Sequence, residues 1–138
     1  MAVATVGSKT DVTPGFGAPR FYWYSGVKSV DNTETDMIAS TDVGDRDFSI
    51  KFQIAVIADV SNDFRLKVYT GPADGSAADV VIYQSDMTET MDVGRHGAVT
   101  PIELIIPKDS AFRITLDNVV DTTSKDWVLT AVGEYFLK

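Results

Sequence analysis

The stretch Phe48–Ala58, FSIKFQIAVIA, alternates apolar and polar positions over most of its length. Phe48, Ile50, Phe52, Ile54 and Val56 fall on one side, and Ser49, Lys51 and Gln53 on the other. Successive side chains of a strand point to opposite faces, so this period of two predicts a half-buried β-strand. DFRLKVYTG (63–71) repeats the pattern, with Phe64, Leu66 and Val68 inward and Arg65 and Lys67 outward. VVIYQS (80–85) is a third apolar run. TPIELIIP (100–107) aligns Ile102, Leu104 and Ile106, while Ile105 breaks the polarity of the opposite face. AFRITLDN (111–118) sets Phe112, Ile114 and Leu116 against Arg113, Thr115 and Asp117. The run from Trp127 is apolar on both faces at its start, the mark of a central or closing strand.

Turn clusters separate these runs: VSND (60–63), GPADGSAAD (71–79), DVGRHG (92–97), PKDS (107–110) and DNVVDTTSKD (117–126). Each offers residues that tolerate positive φ or form Asx turns. No window sustains an apolar repeat of 3.6 residues, so no long helix is predicted. A short helical turn is expected in NTETDMIAS (32–40). About eight short strands with turns between them predict an all-β fold, an antiparallel β-sandwich that is jelly-roll or immunoglobulin-like. The Cys…Trp…Cys signature of immunoglobulin domains is absent.

The first strand is read in RFYWYSG (20–26). Alternation sends Phe21 and Trp23 to the core and Tyr22 and Tyr24 outward or to an interface. Before it, residues 1–20 are small, polar and punctuated by Pro14, Gly15, Gly17 and Pro19. They read as an extended N-terminal arm, ordered or loose, ahead of a single domain at 21–138. Phe16 is a large apolar side chain within that arm and needs a pocket to fill. Pro14, Phe16, Pro19, Tyr22 and Tyr24 are therefore the candidate partner-binding residues.

Composition narrows the function. A chain of 138 residues suits one domain and buries enough surface to fold without staples. Without cysteine there is no thiol nucleophile, thiolate metal site or disulfide framework. A net charge of −8 repels phosphate backbones, and no basic patch offsets it, so nucleic acid is not an expected partner. No segment approaches transmembrane length, and the N-terminus lacks a basic leader followed by an apolar run, so no membrane partner is expected.

Candidate chemistry is sparse. His96 is the only histidine and sits in a glycine-flanked turn, with no G-x-S-x-G elbow anywhere. One histidine without cysteine does not make a zinc site. Asp31, Glu34 and Asp36, and then Asp42, Asp45 and Asp47, form acidic clusters, but neither fits the calcium-loop pattern and Arg46 sits inside the second. Glu103 and Glu134 lie within strands, and their spacing in the chain does not set them across a cleft. The sequence therefore assigns no catalytic residue, metal or cofactor, and the protein is not expected to be an enzyme.

TPGFGAP in the arm, FRLKVYTGPADGS and IPKDSAFRITLDN, on a compact cysteine-free all-β chain, carry a resemblance. The chain resembles the small β-sandwich decoration (cement) proteins of tailed-bacteriophage capsids. The resemblance implies a structural virion protein, made in the host cytoplasm and placed on the capsid exterior. It implies binding to the major capsid protein, stabilisation of the shell, and a homo-oligomer, often a trimer. It carries over no catalytic residues. The alternative reading is a carbohydrate-binding or adhesin-like module. Tyr22, Trp23 and Tyr24 would then form a stacking platform, with calcium at Asp42, Asp45 and Asp47.

Overall fold

The computed structural model describes residues 6–12, 19–56, 64–73, 79–87, 102–118 and 124–136. They form ten strands: β1 (Ser8–Val12), β2 (Arg20–Tyr24), β3 (Lys28–Val30), β4 (Thr35–Ser40), β5 (Phe48–Val56), β6 (Phe64–Pro72), β7 (Val80–Met87), β8 (Ile102–Ile106), β9 (Ser110–Asn118) and β10 (Lys125–Tyr135). The first sheet runs β1-β2-β10-β5-β8, with β3 also on β10, and the second runs β4-β9-β6-β7. Every pairing is antiparallel.

β2 and β3 lie along one side of β10 as a single interrupted strand. The interruption is organised by Ser25. Its N–H donates to the Leu129 carbonyl at 3.0 Å, while its Oγ accepts the Leu129 N–H at 2.8 Å. Gly26 follows at a φ of 75°, in the left-handed region where glycine is favoured. With β2 and β3 counted as one and β1 set aside, eight strands remain, four to a sheet. Only β6 and β7 are neighbours both in sequence and in space. This is the order of a jelly roll, and it decides between the two sandwich types left open by the sequence.

Alternation fills the core as the pattern predicts. Phe48, Ile50, Phe52 and Ile54 of β5 face Phe64, Leu66 and Val68 of β6 and Phe112, Ile114 and Leu116 of β9, all buried. At one end the Phe21 ring meets Phe48 edge-on at 5.1 Å, and Trp23 meets Phe112 at 5.3 Å. Near the other end Phe64 and Trp127 pack at 4.8 Å. Such ring pairs add to the hydrophobic gain of burial about 0.5–1.5 kcal/mol each.

One expectation is corrected. The helical turn expected at 32–40 is instead β4 over Thr35–Ser40, paired with β9. A bulge between Asp36 and Ile38 breaks its alternation, so Met37 and Ile38 are both buried and the period of two is lost. Ala39 is also buried, in a small cluster with Tyr69 and Ala111 that Val6 covers.

Val6 belongs to the stretch read as an extended arm, and residues 6–12 are attached to the body. Val6 exchanges both backbone hydrogen bonds with Ala39 on the outer edge of β4, at 3.0 and 3.1 Å. Two residues later β1 pairs along β2, in the other sheet. The chain thus crosses from one sheet to the other at Gly7, whose φ is 87°. The Trp23 indole N–H, donating to the Val6 carbonyl at 3.1 Å, fixes the crossing. One flank of the sandwich is closed by this segment.

Candidate functional site

The structure separates the candidate residues. Pro14 and Phe16 lie outside the described residues, as does His96. Pro19 is half-buried, and its carbonyl accepts the Tyr135 N–H at 2.9 Å. It lines a cleft of about 400 Å³ with Lys9, Asp11, Val43, Arg46 and Tyr135. There the Lys9 ammonium stands 5.1 Å from the centres of the Phe21 and Tyr135 rings and 5.6 Å from Trp23. A cation over ring faces is held by their negative quadrupole. The Tyr135 hydroxyl donates to Asp11 at 3.1 Å. Burial raises the Tyr135 phenol above its ordinary value, against the pull of Lys9.

Tyr22 and Tyr24 face solvent at 58% and 46% exposure, while Phe21 and Trp23 are buried. The alternation read from RFYWY therefore holds. Trp23, at 3% exposure, is not available to a stacking platform. The acids proposed for calcium serve the turns instead. Asp42 accepts the Gly44 N–H at 2.9 Å, and Asp47 accepts the Lys108 N–H at 2.7 Å. Among the described residues no three acidic or histidine side chains come together to hold a metal ion.

The outer face of the first sheet is built in cross-strand rows. Thr10, Tyr22, Val132, Lys51 and Glu103 are successive register partners from β1 to β8. Val12, Arg20, Glu134, Ser49 and Ile105 form the row beside it. Residues in register on one face are neighbours about 5 Å apart, so these rows bring together side chains from five strands. Tyr22, Val132, Lys51 and Glu103 of the first row and Arg20, Glu134 and Ser49 of the second line a groove of about 310 Å³. Arg20 Nε lies 3.9 Å from Glu134 Oε2. Lys51 is directly opposite Glu103. Of this group the sequence pattern marks only Tyr22 as a site residue. Residues spread from 20 to 134 share one surface only through the jelly-roll strand order.

The outer face of the second sheet carries a different cluster. The Tyr69 hydroxyl and the Thr115 hydroxyl both donate to Glu34 Oε2, each at 2.6 Å. The Arg113 guanidinium lies 4.1 Å from the centre of the Tyr69 ring and pairs with Asp36 at 3.1 Å. Burial by itself would raise the Glu34 pKa. Hydrogen bonds from Thr115 and Tyr69, with the charges of Arg113 and Lys67, outweigh it and hold the carboxyl below its ordinary value. Burial, then the bond to Glu34 and its negative charge, push the Tyr69 phenol up to about 12. This cluster pins the β3–β4 turn to β6 and β9.

The two flanks of the sandwich differ. Val6 and β1 close the flank formed by the β4 and β2 edges, so β7 and β8 must share the opposite one. There Val80, Val81 and Ile82 of β7 are exposed, and Ile105 of β8 is 64% exposed. Ile102, Leu104 and Tyr83 are partly buried against the core on the same flank. A one-residue bulge between Val68 and Tyr69 of the β6–β7 ladder leaves Ile82 without a register partner. Among the described residues, no strand pairs with the outer edge of β7 or of β8.

No family model matches this sequence, and no curated protein matches it. Among the described residues no helix is long and apolar enough to cross a membrane. Solved structures do match. The chain is similar to a protein from Bacillus endospore appendages, which form a family of disulfide-linked pili. The TM-score is 0.53 at 10% identity, with 98% of this chain and 96% of that one covered. It is also similar to a protein of the infectious bursal disease virus particle. There the TM-score is 0.50 at 12% identity, with 84% of this chain and 31% of that one covered. The chain thus spans about a third of that viral protein. This chain has no cysteine of its own for a disulfide link between copies. At such identities, what it shares with a pilus protein and with part of a viral particle is the fold.

Proposed function

We propose that the chain is a structural virion protein, a decoration protein that binds the major capsid protein from outside and stabilises the shell. The observation that supports it is the apolar edge of β7. Isolated exposed aliphatics are ordinary, but Val80, Val81 and Ile82 are consecutive and all exposed. Among the described residues no strand pairs with the outer edge of β7, and edges of this kind invite another chain unless charges or cover blunt them. The opposite flank has such cover in Val6 and β1. An interface with an apolar centre and a polar rim fits this surface, with subunits of a shell or sister copies as partners. The acidic surface keeps the unattached protein soluble at high copy number. Pro14 and Phe16 remain candidate contacts of the capsid protein in this reading.

The test is attachment. Purified protein is mixed with shells assembled from the capsid protein encoded in the same genome and separated on a density gradient. The wild type should sediment with the shells, and a Val81→Asp, Ile82→Asp double variant with an unchanged circular-dichroism spectrum should stay at the top. Wild-type protein remaining at the top, or a double variant that attaches as well as wild type, would overturn the proposal.

A further inference from the structure

We infer that the groove on the outer face of the first sheet is a saccharide-binding site, specific for an uncharged oligosaccharide chain. It lies on a different sheet from the exposed aliphatics of β7 and does not depend on the shell contact.

The argument starts from Tyr22. It is 58% exposed on a sheet face, between Thr10 and Val132, where an aliphatic or small polar residue would suffice for strand pairing. An exposed phenol ring offers a flat apolar face with a hydroxyl at its rim. The face of a pyranose ring, with its C–H bonds, fits on such a plane. Beside the ring stand the groups that a polyhydroxylated ligand needs. Glu134 and Glu103 supply carboxylate acceptors, and Arg20 and Lys51 supply donors. All five side chains line one groove of about 310 Å³, at the lower end of the range for small-molecule sites.

Charge selects the ligand class. Each carboxylate has a cation on a neighbouring strand, Arg20 beside Glu134 and Lys51 opposite Glu103. The groove is thus balanced at two acids and two bases. A phosphate, a sulfated glycan or a basic peptide would meet a like charge as closely as an opposite one. A neutral chain of hydroxyl groups meets acceptors and donors without displacing a charge from its neighbour. The groove lies open on a sheet face rather than enclosed, so it admits the middle of a chain as readily as its end.

The test uses the isolated protein, without shells. It is screened against an array of neutral gluco-, galacto-, manno- and N-acetylhexosamine oligomers beside sulfated and uronic-acid oligomers, and hits are titrated by calorimetry. Binding to at least one neutral oligomer is expected. Affinity should fall ten-fold or more in Tyr22→Ala and in Glu134→Gln, both with unchanged circular dichroism. It should be retained in the Val81→Asp, Ile82→Asp variant, which separates this site from the shell contact. No neutral oligomer bound, a preference for the charged oligomers, or undiminished binding in Tyr22→Ala would each overturn the inference.

Discussion

The Phe21 ring lies directly over Gly133, its register partner across the β2–β10 ladder. A Cβ at Gly133 would run into the ring itself. The ring has nowhere to go, because Trp23, Phe48 and Tyr135 surround it at 5.1–6.2 Å between centres. Gly133→Ala is therefore expected to destabilise the protein by about 2–3 kcal/mol, the cost of forcing extra volume into a packed core. Chemical denaturation of the two proteins measures it. Gly26→Ala is the control: no atom lies within 4 Å of its added Cβ, so only the backbone cost of its positive φ remains, about 1 kcal/mol.

Gly7 tests the closure of the flank. A Cβ there would stand 2.8 Å from Trp23 Nε1, and the φ of 87° disfavours any L side chain. Gly7→Ala should displace the Val6 carbonyl from the indole N–H and loosen β1. Amide exchange in residues 8–12 should rise many-fold while exchange in β5 and β9 stays near wild type. Equal acceleration throughout would show that the segment is not a separately releasable unit.

Ser25→Ala removes the oxygen that accepts the Leu129 N–H inside the sheet. That donor is then left unsatisfied in a buried place, at a cost of about 1–3 kcal/mol. Ser25→Thr keeps the oxygen and should recover part of the loss. Thermal melts of both variants decide this.

The Glu34–Tyr69 pair predicts a pH dependence with two limbs. The Glu34 carboxyl titrates below its ordinary value of 4.5 in the folded state. Its contribution is present above that value and lost as pH falls through the lowered folded one. Tyr69 is raised from 10.0 to about 12, so the folded protein keeps a proton that the unfolded chain releases. Its contribution is complete below pH 10 and lost as pH rises toward 12. In Tyr69→Phe the alkaline limb should shrink, and in Glu34→Gln both limbs should. Denaturation midpoints across pH 2–12 report the slopes.

Much of the sandwich was legible because its longer strands keep strict alternation. Ile54, Leu66 and Ile114 are buried where period two puts them, and Tyr22 and Tyr24 are exposed. β4 was not legible, since the bulge after Asp36 puts Met37 and Ile38 on the buried side together. β1 was not legible either. Ser8–Val12 carries no core residue, and its five side chains are all exposed, so its pairing depends on the free edge of β2. The groove was hidden for a third reason. Arg20, Lys51, Glu103 and Glu134 each read as an ordinary outward polar residue of a separate strand. Their meeting follows from register across β2, β10, β5 and β8, which no local pattern records.

β10 is bonded to β2 and β3 on one side and β5 on the other. During synthesis the first sheet therefore has no centre until residues 125–135 have left the ribosome. Until then β2 and β5 each present an open edge and an uncovered apolar face, the conditions under which nascent chains aggregate. The closing step joins segments about a hundred residues apart, which makes it slow. Everything the first sheet gains from its centre therefore arrives last in the order of synthesis, with the final strand.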